Sequence, residues 1–298
     1  MKKNKIKRSK GDSIFLWIVG VLILLQCIGL LIPLLWTVIQ SFNDYYSYVL
    51  NPFSFPKTLS FDNYITAFKN LNITITSPER GKVKFNIFNM TGYSFIIAFV
   101  LTFMQTFMSS MLGYATGKYG HWRISRIIYT VNLFVIVFPI IGSLPASLKL
   151  HNTLGTYNNL ILFLLVGHFG TGMHVIMFSG AFKGLANDYR EAAMIDGAGH
   201  YSIMFKIYYP MVFPLMAAVF LLGFIGNWNN YMIVVTYLPS YPILAYGIYM
   251  FELMSTNYGY SVPEILAGFI IVAIPTAIIW ILSQKLITSK LTVGGLKG

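Results

Sequence analysis

Apolar residues in this chain come in long unbroken blocks, without the alternation of a half-buried strand or the one-sided stripe of a surface helix. No charged residue falls between Asp12 and Asp44, Lys84 and Lys118, Arg126 and Lys149, Lys149 and Lys183, Lys206 and Glu252, or Glu264 and Lys285. A helix that crosses a bilayer needs about 20 consecutive, mainly apolar residues. The blocks therefore predict six transmembrane helices, at about 14–40, 92–116, 127–147, 157–182, 211–236 and 265–284. The fifth block is long enough for two helices, but from Pro239-Ser-Tyr-Pro242 onward it reads as loop, so six crossings are expected rather than seven. The expected fold class is an all-α integral membrane protein. It has a basic tail over 1–13, a first helix, a loop over 41–91, a five-helix core over 92–286 and a tail over 287–298. The first apolar run, Ile14 to Ile39, far exceeds the 7–15 residues of a signal-peptide core, so it is expected to stay in the membrane.

Composition narrows the class. Hydrophobic residues make up 56% of the 298 and charged residues only 10%, against about 25% charged in soluble domains. An ordinary soluble enzyme, a disordered chain and a disulfide scaffold are all excluded. The single Cys27 leaves no internal disulfide and no cysteine-built zinc site. A formal net charge of +12 could suggest nucleic acid, but its distribution points elsewhere. With six crossings, 15 of the 21 Lys and Arg residues lie on one side, in the N-tail, the loops after the second and fourth helices, and the C-tail. Basic residues concentrate on the cytoplasmic side, so both termini are expected in the cytoplasm of a multi-pass plasma-membrane protein. No nucleic-acid partner is then needed.

Candidate chemistry is sparse. No Asp, Glu, Lys or Arg lies inside the six predicted spans, and only His168 and His174 offer side chains there that ordinarily titrate near neutral pH. Coupled carriers usually keep ionisable groups in the membrane. A secondary transporter or channel working through His168 or His174 remains an alternative, although residues six apart do not share a helix face. His121, His151 and His200 fall in loops at scattered spacings and form no metal-ligand pattern. Gly113-Tyr-Ala-Thr-Gly117-Lys118 has the wrong spacing for a phosphate-binding loop. An integral membrane enzyme finds no paired carboxylates to support it. Small residues (Ser109, Ser110 and Gly113 in the second span; Gly167, Gly170, Gly172, Ser179 and Gly180 in the fourth) suit close helix packing. Pro33, Pro139, Pro145, Pro214 and Pro275 lie in or at the ends of spans.

The loop 183–210 is the most informative segment. Asp188 and Glu191 have the spacing of a capping box, and Gly197 suits the left-handed turn that ends a helix. A short helix over Asp188–Asp196 is expected, with Tyr189, Ala192, Ala193 and Asp196 on one face. A second helix from about Ser202, interrupted near Pro210, should lead into the fifth span. Glu191-Ala-Ala-x-x-Asp-Gly-Ala, followed by Ile207-x-x-Pro210 and Pro214, resembles the EAA signature of bacterial ABC importer permeases. Tyr209 stands where that family usually has Leu before the proline. The ending Leu291-Thr-Val-Gly-Gly-Leu-Lys-Gly298 and the stretch Trp228-Asn229-Asn230-Tyr231 resemble MalG-like permeases of carbohydrate importers, and Leu59-Ser-Phe-Asp-Asn-Tyr64 matches a short element often found in their first loop.

The resemblance implies a non-catalytic membrane subunit with the MetI-like permease fold. It would pair with a second permease subunit of the MalG/MalF type and with two cytoplasmic ABC ATPase subunits, and would receive a sugar from an extracellular binding protein. No cofactor would bind this chain; ATP-Mg would sit in the ATPase subunits. Tyr189, Glu191, Ala192, Ala193, Asp196 and Gly197 would be ATPase-coupling residues in a cytoplasmic EAA helix, and Trp228, Asn229 and Asn230 would lie along the substrate pathway.

Overall fold

In the computed structural model, which describes residues 10–77, 81–138, 142–166 and 172–291, the apolar blocks become helices of unequal length. Helix α1 (Lys10–Ser41) leaves Ile14, Trp17, Leu22 and Leu30 largely exposed. An apolar helix with no polar face is suited to lipid rather than to water. Short helices α2 (Tyr45–Leu50) and α3 (Asp62–Asn70) come next. Strands β1 (Ile73–Ser77) and β2 (Gly81–Phe85) then pair antiparallel, with Ile75 opposite Val83. The all-α expectation thus gains a two-stranded hairpin within the 41–91 segment.

Asn86 starts the long helix α4 (Ile87–Lys118) through a capping box with Asn89: each side-chain oxygen accepts from the other residue's backbone N–H. Helix α5 (Arg123–Val137) stops at Phe138, whose backbone is extended, and α6 (Leu144–Thr153) begins after it. The segment expected as one span at 127–147 is therefore not one helix. Helices α7 (Leu160–Val166) and α8 (Met173–Gly184) occupy the fourth block. His168, Gly167, Gly170 and Pro139 lie outside the described residues. Then come α9 (Asp188–Ile195), α10 (His200–Ile203), a π-helical turn (Met204–Tyr208), and α11 (Tyr209–Asn229). The chain continues through α12 (Met232–Thr236), α13 (Leu244–Leu253), α14 (Ser255–Tyr258) and α15 (Val262–Leu291). Residues 244–253, expected as loop, are thus a helix.

Among the described residues four helical runs are long and apolar enough to cross a membrane: Gly11–Ser41, Ile87–Lys118, His200–Asn229 and Val262–Leu282. The chain forms two compact units, one from residues up to Asn70 with Met254–Ile271, the other from Leu71–Leu253 with the residues from Val272 onward. In the first, a buried amide cluster holds the end of α1. Asn63 donates to the carbonyls of Ser41 and Asn43 at 2.9 and 2.8 Å, and the Tyr64 and Ser41 hydroxyls meet at 2.6 Å. Asn63 and Tyr64 both belong to the Leu59–Tyr64 element.

In the second unit α4 is the central helix, packed chiefly on α8 and α11. Gly113 and Gly117 bring α4 against α8 backbone to backbone. A Cβ on Gly113 would fall on Phe178, and one on Gly117 would lie 2.6 Å from the Ser179 carbonyl. The motif rejected as a phosphate loop is a small-xxx-small packing seam. Asn132 of α5 anchors the start of α8, accepting from the Gly172 N–H at 2.7 Å and donating to its carbonyl at 3.2 Å. The Ser94 hydroxyl of α4 accepts from the Leu244 N–H at 2.7 Å, and Gly247 sits over Met90, so α13 is tied to α4.

Candidate functional site

The loop joining α8 to α11 is built around one small helix. Helix α9 opens at Asn187, whose backbone is helical and whose side chain makes no capping bond. The Asp188–Glu191 capping box is not formed. Asp188 is already the first helical residue, and the side-chain oxygen of the cap, Asn187, is taken from α4: Lys118 Nζ donates to it at 3.1 Å, and also to the Leu185 carbonyl at 2.6 Å. An ammonium is a stronger partner for an amide oxygen than a backbone N–H. The other end of α9 matches expectation. Gly197 has φ +80°; its N–H bonds to Met194 O at 3.1 Å, and the Ala198 N–H bonds to Ala193 O at 2.9 Å. That pair of bonds is a Schellman turn, which requires a left-handed residue at Gly197.

Burial revises the face. Ala193 is only 8% exposed and belongs to the chain's own core with Phe182, Ile203 and Tyr208. It does not share an open surface with Tyr189 and Ala192, as periodicity alone suggested. Three-point-six-residue geometry instead groups Asp188, Glu191, Ala192 and Ile195 outward, all exposed, with Ile195 at 87%. Tyr189, Asp196 and Gly197 are also exposed, at the edge and end of this surface. The result is an apolar knob flanked by two carboxylates.

Beneath α9 lies an aromatic floor. Tyr114, Phe182, Tyr208 and Tyr209 pack with ring centroids 5.3–5.9 Å apart. Lys118 Nζ stands 4.7 Å from the Tyr208 ring centre, and the Arg190 guanidinium 5.7 Å from that of Tyr119. His200, expected in a loop, opens α10, and its Nδ1 meets the Tyr119 hydroxyl at 3.1 Å. Arg190 Nε and Tyr114 Oη are buried with no hydrogen-bond partner among the described residues. The interruption expected near Pro210 is the π turn just before it, where the Tyr209 N–H reaches Met204 O. Pro210 has no N–H to offer the Lys206 carbonyl, and a widened turn makes room for its ring.

The residues expected along a substrate pathway separate in the structure. Trp228 is 1% exposed and packs on Phe224 at 5.7 Å between ring centres, so its face is not open to a passing ligand. Asn229 and Asn230 are exposed at the end of α11, where Asn229 Nδ2 donates to the Ile225 carbonyl at 2.9 Å. Two further amides lie between α4 and α11: Asn227 Nδ2 donates to Thr102 Oγ1 at 2.9 Å and to Gln105 Oε1 at 3.3 Å. Their signal was a polar side chain inside an apolar span. Lys118 carried a signal too, but a basic residue at a helix end reads as an orientation marker. A groove of about 500 Å³ between α4 and α11 is lined by Phe95, Phe99, Phe103, Phe107, Phe220 and Phe224, with Thr106 as its polar side chain. It suits an apolar neighbour, not a sugar, which needs several hydrogen-bonding groups. His174 is exposed on α8.

Three comparisons bear on this architecture. The family described as "Binding-protein-dependent transport system inner membrane component" matches residues 7–293. The diacetylchitobiose uptake system permease protein NgcG of Streptomyces coelicolor is 26% identical over 96% of this chain and 90% of its own length. The galactooligosaccharides transport system permease protein GanQ of Bacillus subtilis is 28% identical over 89% of this chain and 90% of its own. Among solved structures, a bacterial ABC transporter involved in the import of the acidic polysaccharide alginate has a chain of the same fold. Its TM-score is 0.70 at 22% identity, over 94% of this chain and 99% of that one.

Proposed function

This chain belongs to the family of binding-protein-dependent transport system inner membrane components, and on that premise we propose that it is a permease subunit of an ABC importer for a sugar or oligosaccharide. The family match over residues 7–293 carries the reading. The saccharide names of NgcG and GanQ support the substrate class. A binding-protein-dependent system needs a delivering binding protein, a second permease to complete the pathway and two ATPase subunits holding ATP-Mg. Six crossings with both termini in the cytoplasm fit the basic-residue distribution. Helices α5, α7 and α8 then supply the two crossings that are not single long helices. Of the two histidines in the alternative carrier reading, His174 is exposed on α8 and His168 lies outside the described residues.

Helix α9 is the coupling helix in this reading. Its outward surface of Asp188, Glu191, Ala192 and Ile195 enters a cleft on an ATPase subunit, with Tyr189 and Asp196 at the rim. Ala193 and Gly197 hold the helix in place from behind and below. Asn229, Asn230, Gln105 and Asn227 offer the sugar its hydrogen bonds, and Trp228 supports them from the core.

Importer assembled with its ATPase tests this. Ala192→Trp adds bulk to the outward face, and Gly197→Val puts a β-branched residue where φ is +80°. Both should abolish ATPase copurification and uptake across a panel of oligosaccharides while membrane levels stay normal. Full ATPase recovery in both variants would reduce α9 to an ordinary surface helix.

A further inference from the structure

A charged side chain buried at the end of an apolar helix demands partners, and Lys118 has them from three directions. It is the last residue of α4 and only 8% exposed. Its ammonium holds the carbonyl of Leu185, just past the end of α8, and the side-chain oxygen of Asn187, at the entrance to α9. It also faces the ring of Tyr208, in the π turn that leads into α11. Positive charge at helix C-termini is favourable, and here one amine serves the ends of both α4 and α8. In the last turns of α4 before it, Gly113 and Gly117 let α4 approach α8 so closely that a Cβ at either position would meet Phe178 or the Ser179 carbonyl. The chain from α8 into α9 is therefore fastened to α4 at two levels, by shape at the glycines and by charge at Lys118.

We propose that Lys118 is a positioning residue that makes α9 and α4 move as one body. Displacement of α9 by an ATPase subunit would then pass directly into the helix that carries Thr102 and Gln105. This rests on the coupling reading of α9. If Leu185 and Asn187 moved away together, the buried ammonium would lose both hydrogen bonds, and that penalty is what transmits the displacement. Lys118→Met keeps the length and apolar stem but removes the charge. Lys118→Arg keeps the charge and the donors.

The test uses the assembled importer with Cys27→Ser as background and spin labels at Met194→Cys and Phe103→Cys, both exposed and outside the surface offered to the ATPase. The α9–α4 distance is read by electron–electron resonance without nucleotide and with ATP-Mg. With Lys118 present the distance distribution should be narrow and unchanged by ATP-Mg. With Lys118→Met it should broaden and shift on adding ATP-Mg, and Lys118→Arg should restore the narrow distribution. If Lys118→Met fails to accumulate, Asn187→Ala removes one acceptor only and should broaden the distribution by a smaller amount. A narrow, nucleotide-independent distance in Lys118→Met, or in Asn187→Ala where that variant stands in for it, overturns the proposal. So does an α9–α4 distance that already shifts with ATP-Mg in the unsubstituted chain. Crosslinking from Ile195→Cys to the ATPase subunit is scored separately. Its failure removes the coupling reading, while the distance still reports whether Lys118 fastens the two helices.

Discussion

Two stretches of α4 repeat a residue type every four positions with opposite results. Along its middle Phe95, Phe99, Phe103 and Phe107 stack in a ladder, with successive ring centres 5.8–6.5 Å apart and planes within 16° of parallel. These rings line one wall of the groove between α4 and α11. Near its C-terminal end Gly113 and Gly117 use the same spacing with no side chain at all, and α8 comes into backbone contact. In a membrane, where lipid tails are as apolar as leucine, burial of apolar area does not drive helices together. Close packing and buried polar bonds do. The glycine end is therefore the closely packed part of the helix, and it is the end at which Lys118 holds the residues that lead into α9.

The contrast can be broken most severely at Gly113. Gly113→Leu would drive side-chain atoms into Phe178 and the backbone of Ser179. Overpacking of this kind costs about 1–3 kcal/mol and occasionally more. The expected outcome is a large fall in the thermal midpoint of the detergent-purified chain, and Gly117→Ala, directed at the Ser179 carbonyl, should show a smaller fall. Wild-type melting of both variants would mean that α4 and α8 are not in backbone contact.

At the phenylalanine ladder the same size of change should matter little. Phe103 is about half exposed, so Phe103→Ala should cost on the order of 1 kcal/mol or less, below the roughly 1.5–3 kcal/mol of a fully buried side chain. A loss as large as that of Gly113→Leu would show that the ladder, and not the glycine seam, fastens α4.

A pH titration sharpens the comparison from outside α4. His151, expected in a loop, lies in the last turn of α6; its Nδ1 meets Thr156 Oγ1 at 2.7 Å and its ring lies 4.5 Å from that of Tyr237. Burial holds its pKa below the ordinary 6.5 because the charged form is poorly solvated there. A depressed folded-state pKa contributes stability above about pH 6.5, and that contribution is lost as pH falls through the lower, folded value. A small drop in thermal midpoint between pH 7.5 and pH 5 is expected, and His151→Phe should flatten that part of the curve. The glycine seam has no titratable group, so the drop should be unchanged in a Gly117→Ala background.

Some of this could be read directly along the chain. Where the apolar blocks lie, where α1, α4 and α15 run, and where α9 ends are legible from charge-free length and from Gly197, because these depend on nearest neighbours and on the medium. The first misreading came at 244–253, where Pro239 and Pro242 marked a real turn but gave no sign of α13 beyond it. That helix starts because Ser94, some 150 residues earlier in sequence, accepts the Leu244 N–H. The second came at Ala193, since a four-residue periodicity identifies a face without saying which way it points. The core of Phe182, Ile203 and Tyr208 turns it inward. The third came at Lys118, whose charge was legible and whose partners were not. Its acceptors lie 67 and 69 residues along the chain. Sequence by itself determined where the charge-free apolar blocks lie, because the preference of a side chain for lipid depends on that side chain alone. Tertiary structure decided which face of α9 is offered and which helix it is fastened to, because those depend on pairs of groups that only the folded backbone brings together.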